Sequence, residues 1–264
     1  MKIRLAAVPA VIALLLAGCG GSAPTDGAST TTSPAASASS SPSAVTGEVT
    51  VLAAASLTKT FTALAKSFEA ANPGTTIRLS FGSSTTLAQQ IAQGADADLF
   101  ASAGTAALDQ LGDVKPDNTV NIAKNTLEIA TPTNNPANVT GLADLAKTDV
   151  DVVLCAETVP CGKAADQILT KASIKAHVVS REVDVSATLA KVTLGEADAA
   201  VVYHSDVVGS QGKVKGIEIP SAQNTTLEYP LALFGSDAAA KAFADYVAGP
   251  DGMKVLQDAG FLAP

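Results

Sequence analysis

Runs of strand character alternate with segments of helical periodicity from residue 48 almost to the end of the chain. In the first such unit, residues 49–52 form a short apolar run, and apolar side chains then recur at helical spacing from residue 57 to residue 68. Repeated units of this kind predict an α/β architecture with mainly parallel sheets. The length of the chain favours two such lobes over a single sheet of a dozen strands.

The same criteria assign the remaining elements. The predicted strands cover residues 49–52, 77–81, 98–101, 127–130, 150–154, 178–179, 199–203 and 227–234. The predicted helices cover residues 57–68, 85–93, 142–147, 162–172, 185–194, 238–247 and 252–257, with Ser56 as the N-cap of the first.

The N-terminus has the features of an export signal. Lys2 and Arg4 precede an apolar run at residues 5–16. The run is too short to span a bilayer, because a spanning helix needs about 20 residues. A basic start followed by such a run is typical of a secretory signal peptide. The run ends in a Leu-Ala-Gly-Cys sequence that resembles a bacterial lipobox. We therefore expect residues 1–18 to be removed as a lipoprotein signal peptide and Cys19 to carry a lipid; a plain signal peptide with a chance cysteine is the alternative.

The segment after the signal has a biased composition. Residues 20–47 consist almost entirely of Gly, Ser, Thr, Ala and Pro. Such a stretch cannot bury enough apolar surface to offset the entropy lost on ordering. We therefore predict that residues 19–47 form a flexible linker that tethers the folded part, residues 48–264, to the membrane. Export also places the folded part in an extracytoplasmic compartment, where disulfides can form.

The overall composition excludes several classes of protein. Hydrophobic residues make up 47% of the chain, which rules out a wholly disordered protein. The 17 Lys and Arg against 25 Asp and Glu give a formal net charge of −8, so no nucleic-acid partner is expected. With two His, three Cys and no Trp, the chain offers little for a zinc site or a large aromatic pocket. We expect no metal-ion ligands and no cofactor.

Small hydroxyl-bearing residues follow the first two predicted strands. Ser56 lies in an Ala-Ala-Ala-Ser-Leu sequence, and Ser84 lies in Phe-Gly-Ser-Ser-Thr-Thr-Leu. In open α/β sheets, ligands bind at the carboxyl ends of strands, where helix N-termini present amide N–H groups. Both serines are therefore candidate hydroxyl donors to a ligand. The alternative is that they only cap helices.

Three later junctions could add further donors. Cys161 and Val185 each stand at a predicted helix start, where a first-turn N–H has no partner within the helix. Tyr203 ends a buried predicted strand and can present its phenolic O–H. Together the junctions supply neutral hydrogen-bond donors from several parts of the chain.

Six short motifs occur in the order seen in periplasmic molybdate-binding proteins, and the chain resembles this family over residues 48–264. The motifs are Ala-Ala-Ala-Ser-Leu at 53–57, Phe-Gly-Ser-Ser-x-x-Leu at 81–87, Gly-Ala-x-Ala-Asp-Leu-Phe at 94–100, Val-Pro-Cys-Gly at 159–162, Val-Tyr-x-Ser-Asp at 202–206 and Glu-Tyr-Pro at 228–230. Any one of them is a weak signal, but six in order are specific.

The resemblance implies a two-lobed type II periplasmic-binding-protein fold with a ligand cleft between the lobes. On this pattern lobe 1 comprises residues 48–126 and 229–264, and lobe 2 comprises residues 127–228. The ligand would be one tetrahedral oxyanion, molybdate or tungstate, held through its oxygens. It would be delivered to the permease of an ABC transporter in the membrane. The family implies a binding protein rather than an enzyme, and we expect a monomer.

Carried over position by position, the resemblance implies that Ser56 and Ser84 supply hydroxyl ligands from the first lobe. Cys161 and Val185 match the two backbone N–H ligands of the second lobe, and Tyr203 matches the phenolic ligand. The position of Cys161 is often Ala in relatives, but a contact through the backbone N–H does not depend on the side chain. Neutral donors suffice, because hydrogen bonds to a charged acceptor are strong and helix N-termini carry a positive partial charge.

Cys155 and Cys161 remain once Cys19 is assigned to the lipid. They lie six positions apart in an oxidising compartment, so we predict a disulfide that fixes the turn carrying Cys161. A reactive thiol pair is the alternative, although a Cys-x-x-Cys motif is absent.

The two histidines and two of the aspartates are expected to have structural rather than binding roles. His177 and His204 lack metal-ligand spacing and are expected to be surface or partly packed residues, while Asp96 and Asp98 are expected to cap or brace a turn.

Two alternative functions remain beside a molybdate receptor. A receptor for another oxyanion such as sulfate is the nearest alternative. A secreted serine hydrolase is less favoured, since neither candidate serine lies in Gly-x-Ser-x-Gly.

Overall fold

The computed structural model describes residues 45–264, so the predicted signal peptide, Cys19 and most of the linker lie outside the described residues. All described residues belong to one compact unit. None of the helices within residues 45–264 combines the length and the hydropathy that a membrane-spanning helix requires.

Strands and helices alternate over much of the described chain, as predicted, although some strands and some helices follow one another without the other type between them. In chain order they are β1 (Gly47–Ala54), α1 (Thr58–Ala71), β2 (Thr75–Gly82), α2 (Ser84–Ala92), β3 (Leu99–Ala101), β4 (Asn118–Pro132), β5 (Val152–Cys155), α3 (Pro160–Lys171), β6 (Val178–Glu182), α4 (Val185–Thr193), β7 (Ala199–Tyr203), α5 (His204–Gly209), β8 (Val214–Glu218), β9 (Thr226–Leu233), α6 (Ala238–Ala248) and α7 (Pro250–Asp258). Short 3-10 helices span Ala55–Leu57, Thr105–Leu111 and Leu142–Ala146, the last where a helix was predicted.

The strands form one open sheet in the order β2-β1-β3-β9-β4-β7-β5-β6, with β8 also paired to β4. The α/β class is confirmed, but the prediction of mainly parallel sheets is wrong. Among the described strand pairs, β1–β2, β1–β3, β5–β6 and β5–β7 are parallel. The pairs β3–β9, β4–β7, β4–β8 and β4–β9 are antiparallel.

The antiparallel pairs centre on β4, which the sequence predicted only in part. Residues 118–126 are mostly polar and carry no apolar run, so only the second half of the strand was recognised. The first half pairs with β9, and from Leu127 onward β4 pairs instead with β7. The predicted lobe boundary lies at this change of partner, although the boundaries themselves stay a prediction.

Amphipathic helices cover the sheet and hold the strand ends in place. In α1, Phe61 and Phe68 are buried and meet Phe243 of α6 in edge-to-face contacts, with ring centroids 6.5 and 5.2 Å apart. Burying an aromatic side chain of this size contributes about 1.5–3 kcal/mol. The packing fixes α1 against the sheet and with it the short segment that joins β1 to α1.

Candidate functional site

A small cavity lies where β1, β2 and β7 end and where α2, α3 and α4 begin. Its volume is about 20 Å³. All five predicted binding residues line it: Ser56, Ser84, Cys161, Val185 and Tyr203. Residues that are far apart in sequence therefore meet at one point, as expected for strand ends and helix starts in an open α/β sheet.

Ser84 is the first residue of α2 and is buried. Its Oγ accepts a hydrogen bond of 2.9 Å from the backbone N–H of Ala103, a residue just beyond β3. Because this bond uses a lone pair of the hydroxyl, the hydroxyl proton remains available to donate into the cavity. The alternative that Ser84 caps α2 is wrong, because the N-cap position is Ser83.

Ser56 lies in the short 3-10 helix Ala55–Leu57, so its predicted role as N-cap of a helix is wrong. Its Oγ is instead 3.0 Å from the phenolic oxygen of Tyr229 on β9. The Asn125 side-chain amide donates to that same phenolic oxygen at 3.4 Å. With this bond accepted, Tyr229 can donate its own proton to Ser56, which leaves the Ser56 proton free for a ligand.

Tyr229 was not singled out as a site residue from the sequence, although it lies in the Glu-Tyr-Pro motif. It is fully buried, and its ring packs edge-to-face against that of Tyr203 with centroids 6.1 Å apart. Burial raises the pKa of Tyr229 above its usual value, so the phenol stays protonated and able to donate.

Tyr203 ends β7 and is 1% exposed. Its phenolic oxygen is buried and has no hydrogen-bond partner within residues 45–264. Burial raises the pKa of Tyr203 well above its usual value, which keeps the proton on the oxygen. A buried hydroxyl without a partner is costly, and this one lines a cavity that a ligand could enter.

Two helix starts bring backbone N–H groups to the same cavity. Cys161 is the second residue of α3, after Pro160, and Val185 is the first residue of α4. In the described part of the chain, neither N–H donates a hydrogen bond. The Asp184 side chain caps α4 by accepting from the Ala187 N–H at 2.9 Å, so it does not occupy the Val185 donor.

Cys155 and Cys161 are joined by a disulfide, with Cα atoms 5.8 Å apart. The loop that it closes packs tightly on α3, since a Cβ at Gly162 would lie 2.0 Å from the Ala156 carbonyl oxygen. Only glycine fits there, and this explains the Cys-Gly pair at the helix start. The disulfide therefore lies directly beside the predicted N–H donor of Cys161.

The two arginines in the described residues are used elsewhere. Arg181 donates to the Cys155 carbonyl oxygen at 2.9 Å and to both carboxylate oxygens of Asp166, at 3.1 and 2.8 Å. Arg78 is paired with Glu48 on the surface. Among the described residues that line the cavity there is neither Lys nor Arg, so its donors are neutral.

Ser83 also lines the cavity, although it was not predicted from the sequence as a site residue. Its hydroxyl oxygen is buried and, in the described structure, has no hydrogen-bond partner. Its position beside Ser84 in the Phe-Gly-Ser-Ser motif was the available signal, but the motif does not indicate which of two adjacent hydroxyls reaches a ligand.

The histidines and acids have other partners. His204 Nδ1 is 2.6 Å from Glu128 Oε2, and His177 Nδ1 is 3.3 Å from the Val150 carbonyl oxygen. Asp98 braces β1 by accepting from the Thr50 N–H at 2.8 Å, as expected. Within residues 45–264, neither candidate serine bonds to a histidine, and no group of three His, Cys, Asp or Glu is placed to hold a metal ion.

Comparison with known proteins gives consistent matches. Residues 49–262 match the family described as bacterial extracellular solute-binding protein. Molybdate-binding protein ModA of Mycobacterium tuberculosis is 35% identical over 262 residues, covering 96% of each chain. Putative ABC transporter substrate-binding lipoprotein YvgL of Bacillus subtilis is 32% identical over 225 residues, covering 81% of this chain and 86% of the relative.

A solved structure extends the match to the fold. The substrate binding domain of a putative molybdenum ABC transporter from Clostridium difficile is 31% identical with a TM-score of 0.63, covering 82% of this chain and 99% of that one. The resemblance to molybdate-binding proteins is confirmed, and the chain belongs to the family of bacterial extracellular solute-binding proteins.

Proposed function

We propose that this chain is an extracytoplasmic receptor that captures molybdate, and also tungstate, and delivers it to an ABC importer. The observation that carries the proposal is the Tyr203 hydroxyl, which is buried, without a partner in the described structure, and set in a small cavity beside Ser56 and Ser84. The molybdate-binding relative supports the choice of ligand.

Hydrogen bonding accounts for how such a cavity would hold a dianion without a cation. Hydrogen bonds to a charged group contribute about 1.5–3 kcal/mol each. Ser56, Ser84 and Tyr203 offer hydroxyl donors, and Cys161 and Val185 offer backbone N–H donors. The N-termini of α2, α3 and α4 add a positive partial charge of about +0.5 each. Together these terms offset the cost of removing the dianion from water.

Cavity size and donor chemistry account for selectivity. The cavity is small, about 20 Å³, so the ligand is a compact ion rather than an organic solute. The lining is rich in donors, and its one described carboxylate, Asp184, uses an oxygen to cap α4. A protonated oxyanion such as hydrogen phosphate lacks a matched acceptor there, whereas a bare dianion uses every donor.

The donors come from both predicted lobes, which supports capture by closure of the cleft. Contacts between the same parts of the chain flank the cavity. The Thr85 hydroxyl donates to the Thr158 carbonyl oxygen at 3.1 Å, and the Ser186 hydroxyl donates to the Ala55 carbonyl oxygen at 3.5 Å. The closed form would dock on the permease, while a lipid on Cys19 would keep the monomeric receptor at the membrane.

Calorimetric titration of the purified domain with molybdate, tungstate, sulfate and phosphate tests the proposal. We expect molybdate and tungstate to bind at or below micromolar concentration, and phosphate to bind far more weakly. Tight binding of sulfate with weak binding of molybdate would replace the proposed ligand with sulfate. Failure to bind any of the four would overturn the receptor function.

A further inference from the structure

Ser83 stands at the N-cap position of α2 but does not cap the helix. Its backbone is extended, with φ −62° and ψ 132°, as N-cap residues require. A serine in this position ordinarily accepts a hydrogen bond from an N–H of the first helical turn. Here no side chain makes that bond. The local sequence would thus allow a cap that the structure does not use.

The Ser83 hydroxyl is also hidden from solvent. The residue is 9% exposed, its Oγ is buried, and within residues 45–264 that oxygen has no hydrogen-bond partner. An unmade hydrogen bond of a buried hydroxyl costs about 1–3 kcal/mol. Ser83 lines the same cavity as Tyr203, whose hydroxyl is likewise buried and unpartnered in the described structure.

Backbone N–H groups at the start of α2 likewise have no hydrogen-bond partner in the described structure. In the described residues, the N–H groups of Ser84, Thr85 and Thr86 donate no hydrogen bond, and the first N–H of this turn that does so is that of Leu87, to the Ser83 carbonyl oxygen at 3.0 Å. The neighbouring Ser84 oxygen already accepts from Ala103. The two adjacent hydroxyls therefore differ. The Ser84 hydroxyl is held in position by the Ala103 N–H, whereas the Ser83 hydroxyl has no partner in the described structure.

We propose that Ser83 is a further oxyanion-binding residue, whose hydroxyl donates to the ligand together with the uncapped N-terminus of α2. This inference rests on the proposed function. The Ser83 hydroxyl does not cap α2 because it and the first-turn N–H groups all donate to the same anion. Four hydroxyls then border the cavity, those of Ser56, Ser83, Ser84 and Tyr203.

The test compares Ser83→Ala with Ser210→Ala by calorimetric titration with molybdate. Ser210 is a matched control, because its Oγ is also buried without a partner in the described structure, yet Ser210 does not line the cavity. We expect Ser83→Ala to raise the Kd for molybdate about tenfold or more, which is the effect of removing one bond to a charged acceptor. Ser210→Ala should leave the Kd within twofold of the parent value.

Thermal unfolding without ligand separates binding from folding. Ser83→Ala removes a buried hydroxyl that makes no protein hydrogen bond, so the free protein should unfold at or above the parent temperature, while the upward shift caused by molybdate should shrink. Ser83→Gly is a second variant that N-cap positions tolerate, and the same loss of affinity is expected.

The outcomes separate this inference from the proposed function. A parent protein that binds molybdate while Ser83→Ala and Ser83→Gly bind it equally well would overturn the role of Ser83 alone. A parent protein that binds none of the four oxyanions would overturn the receptor function and the role of Ser83 with it.

Discussion

The hydroxyl oxygen of Ser56 lies 3.0 Å from the phenolic oxygen of Tyr229, which is 173 positions later in the chain. Ser56 follows β1, and Tyr229 lies on β9, two strands that are separated in the sheet only by β3. Asn125 donates to the same phenolic oxygen, so the three residues form a chain of hydrogen bonds that ends at the cavity. When Tyr229 donates to Ser56, the Ser56 proton is left to point into the cavity.

We therefore expect Tyr229→Phe to weaken molybdate binding although Tyr229 does not line the cavity. The ring stays packed, but Ser56 loses its positioning partner and can turn away from the ligand. The expected change is about 1 kcal/mol in binding, or roughly fivefold in Kd. Tyr246→Phe is the control, because Tyr246 packs on Phe68 and Phe243 away from the cavity. Equal affinities of the two variants would contradict this role of Tyr229.

Tyr203→Phe should separate affinity from stability. The phenolic oxygen has no partner in the described structure, so its removal costs the free protein no hydrogen bond. The ligand loses one donor, and affinity should fall by about 1.5–3 kcal/mol. Calorimetry and urea unfolding of the free protein measure the two effects. A variant that is markedly destabilised but binds normally would show that the hydroxyl serves the fold instead.

Opening the Cys155–Cys161 disulfide should weaken both the fold and the site. For a ring this small, the loop-entropy relation gives about 2–2.5 kcal/mol of stability. Cys161 also carries a predicted N–H donor, so a looser turn should raise the Kd for molybdate. Unfolding and titration of the Cys155→Ser, Cys161→Ser double variant test both points. Mass spectrometry of the exported protein provides the control, since two free thiols there would remove the basis of the prediction.

The predicted site residues meet in one cavity because their positions follow from local chemistry. Strand ends, helix starts and small hydroxyl residues are visible in sequence, and Ser56, Ser84 and Tyr203 carry those signals. Tyr229 and Ser83 were missed for a different reason. Their roles depend on which partner a hydroxyl finds across the sheet or leaves unused, and only the packed structure specifies that.

The strand pairing, too, could be predicted from the sequence only in part. The polar first half of β4 has no apolar run, because one strand serves two sets of neighbours and its burial changes along its length. Alternation of helices and strands therefore predicted the α/β class correctly. It could not reveal the antiparallel pairing of β4 with β9, since that pairing joins segments about a hundred residues apart.

Asp206 on α5 gives the molecule a titratable group next to the site. Its Oδ2 accepts from the Tyr203 N–H at 3.0 Å. Burial raises the pKa of Asp206 to about 7; the Tyr203 N–H and Lys59 act in the opposite direction, and Asp184 adds to the rise. In the unfolded chain the pKa returns to the ordinary value of 3.8.

The folded protein therefore binds more protons at Asp206 than the unfolded chain does between about pH 4 and pH 7. The free energy of unfolding should fall as pH rises through this window, by at most about 1.4 kcal/mol per pH unit for one proton. Asp206→Asn keeps an acceptor for the Tyr203 N–H and should flatten this slope. Urea unfolding measured at intervals of about half a pH unit, from about pH 4.5 to about pH 8, gives the slope of the unfolding free energy against pH.

Asp144→Asn is the matched control, because hydrogen bonds from Lys147 and Thr140 lower the pKa of Asp144 and its titration falls below this window. A slope in Asp206→Asn as steep as in the parent and in Asp144→Asn would mean that Asp206 is already ionised in the folded protein.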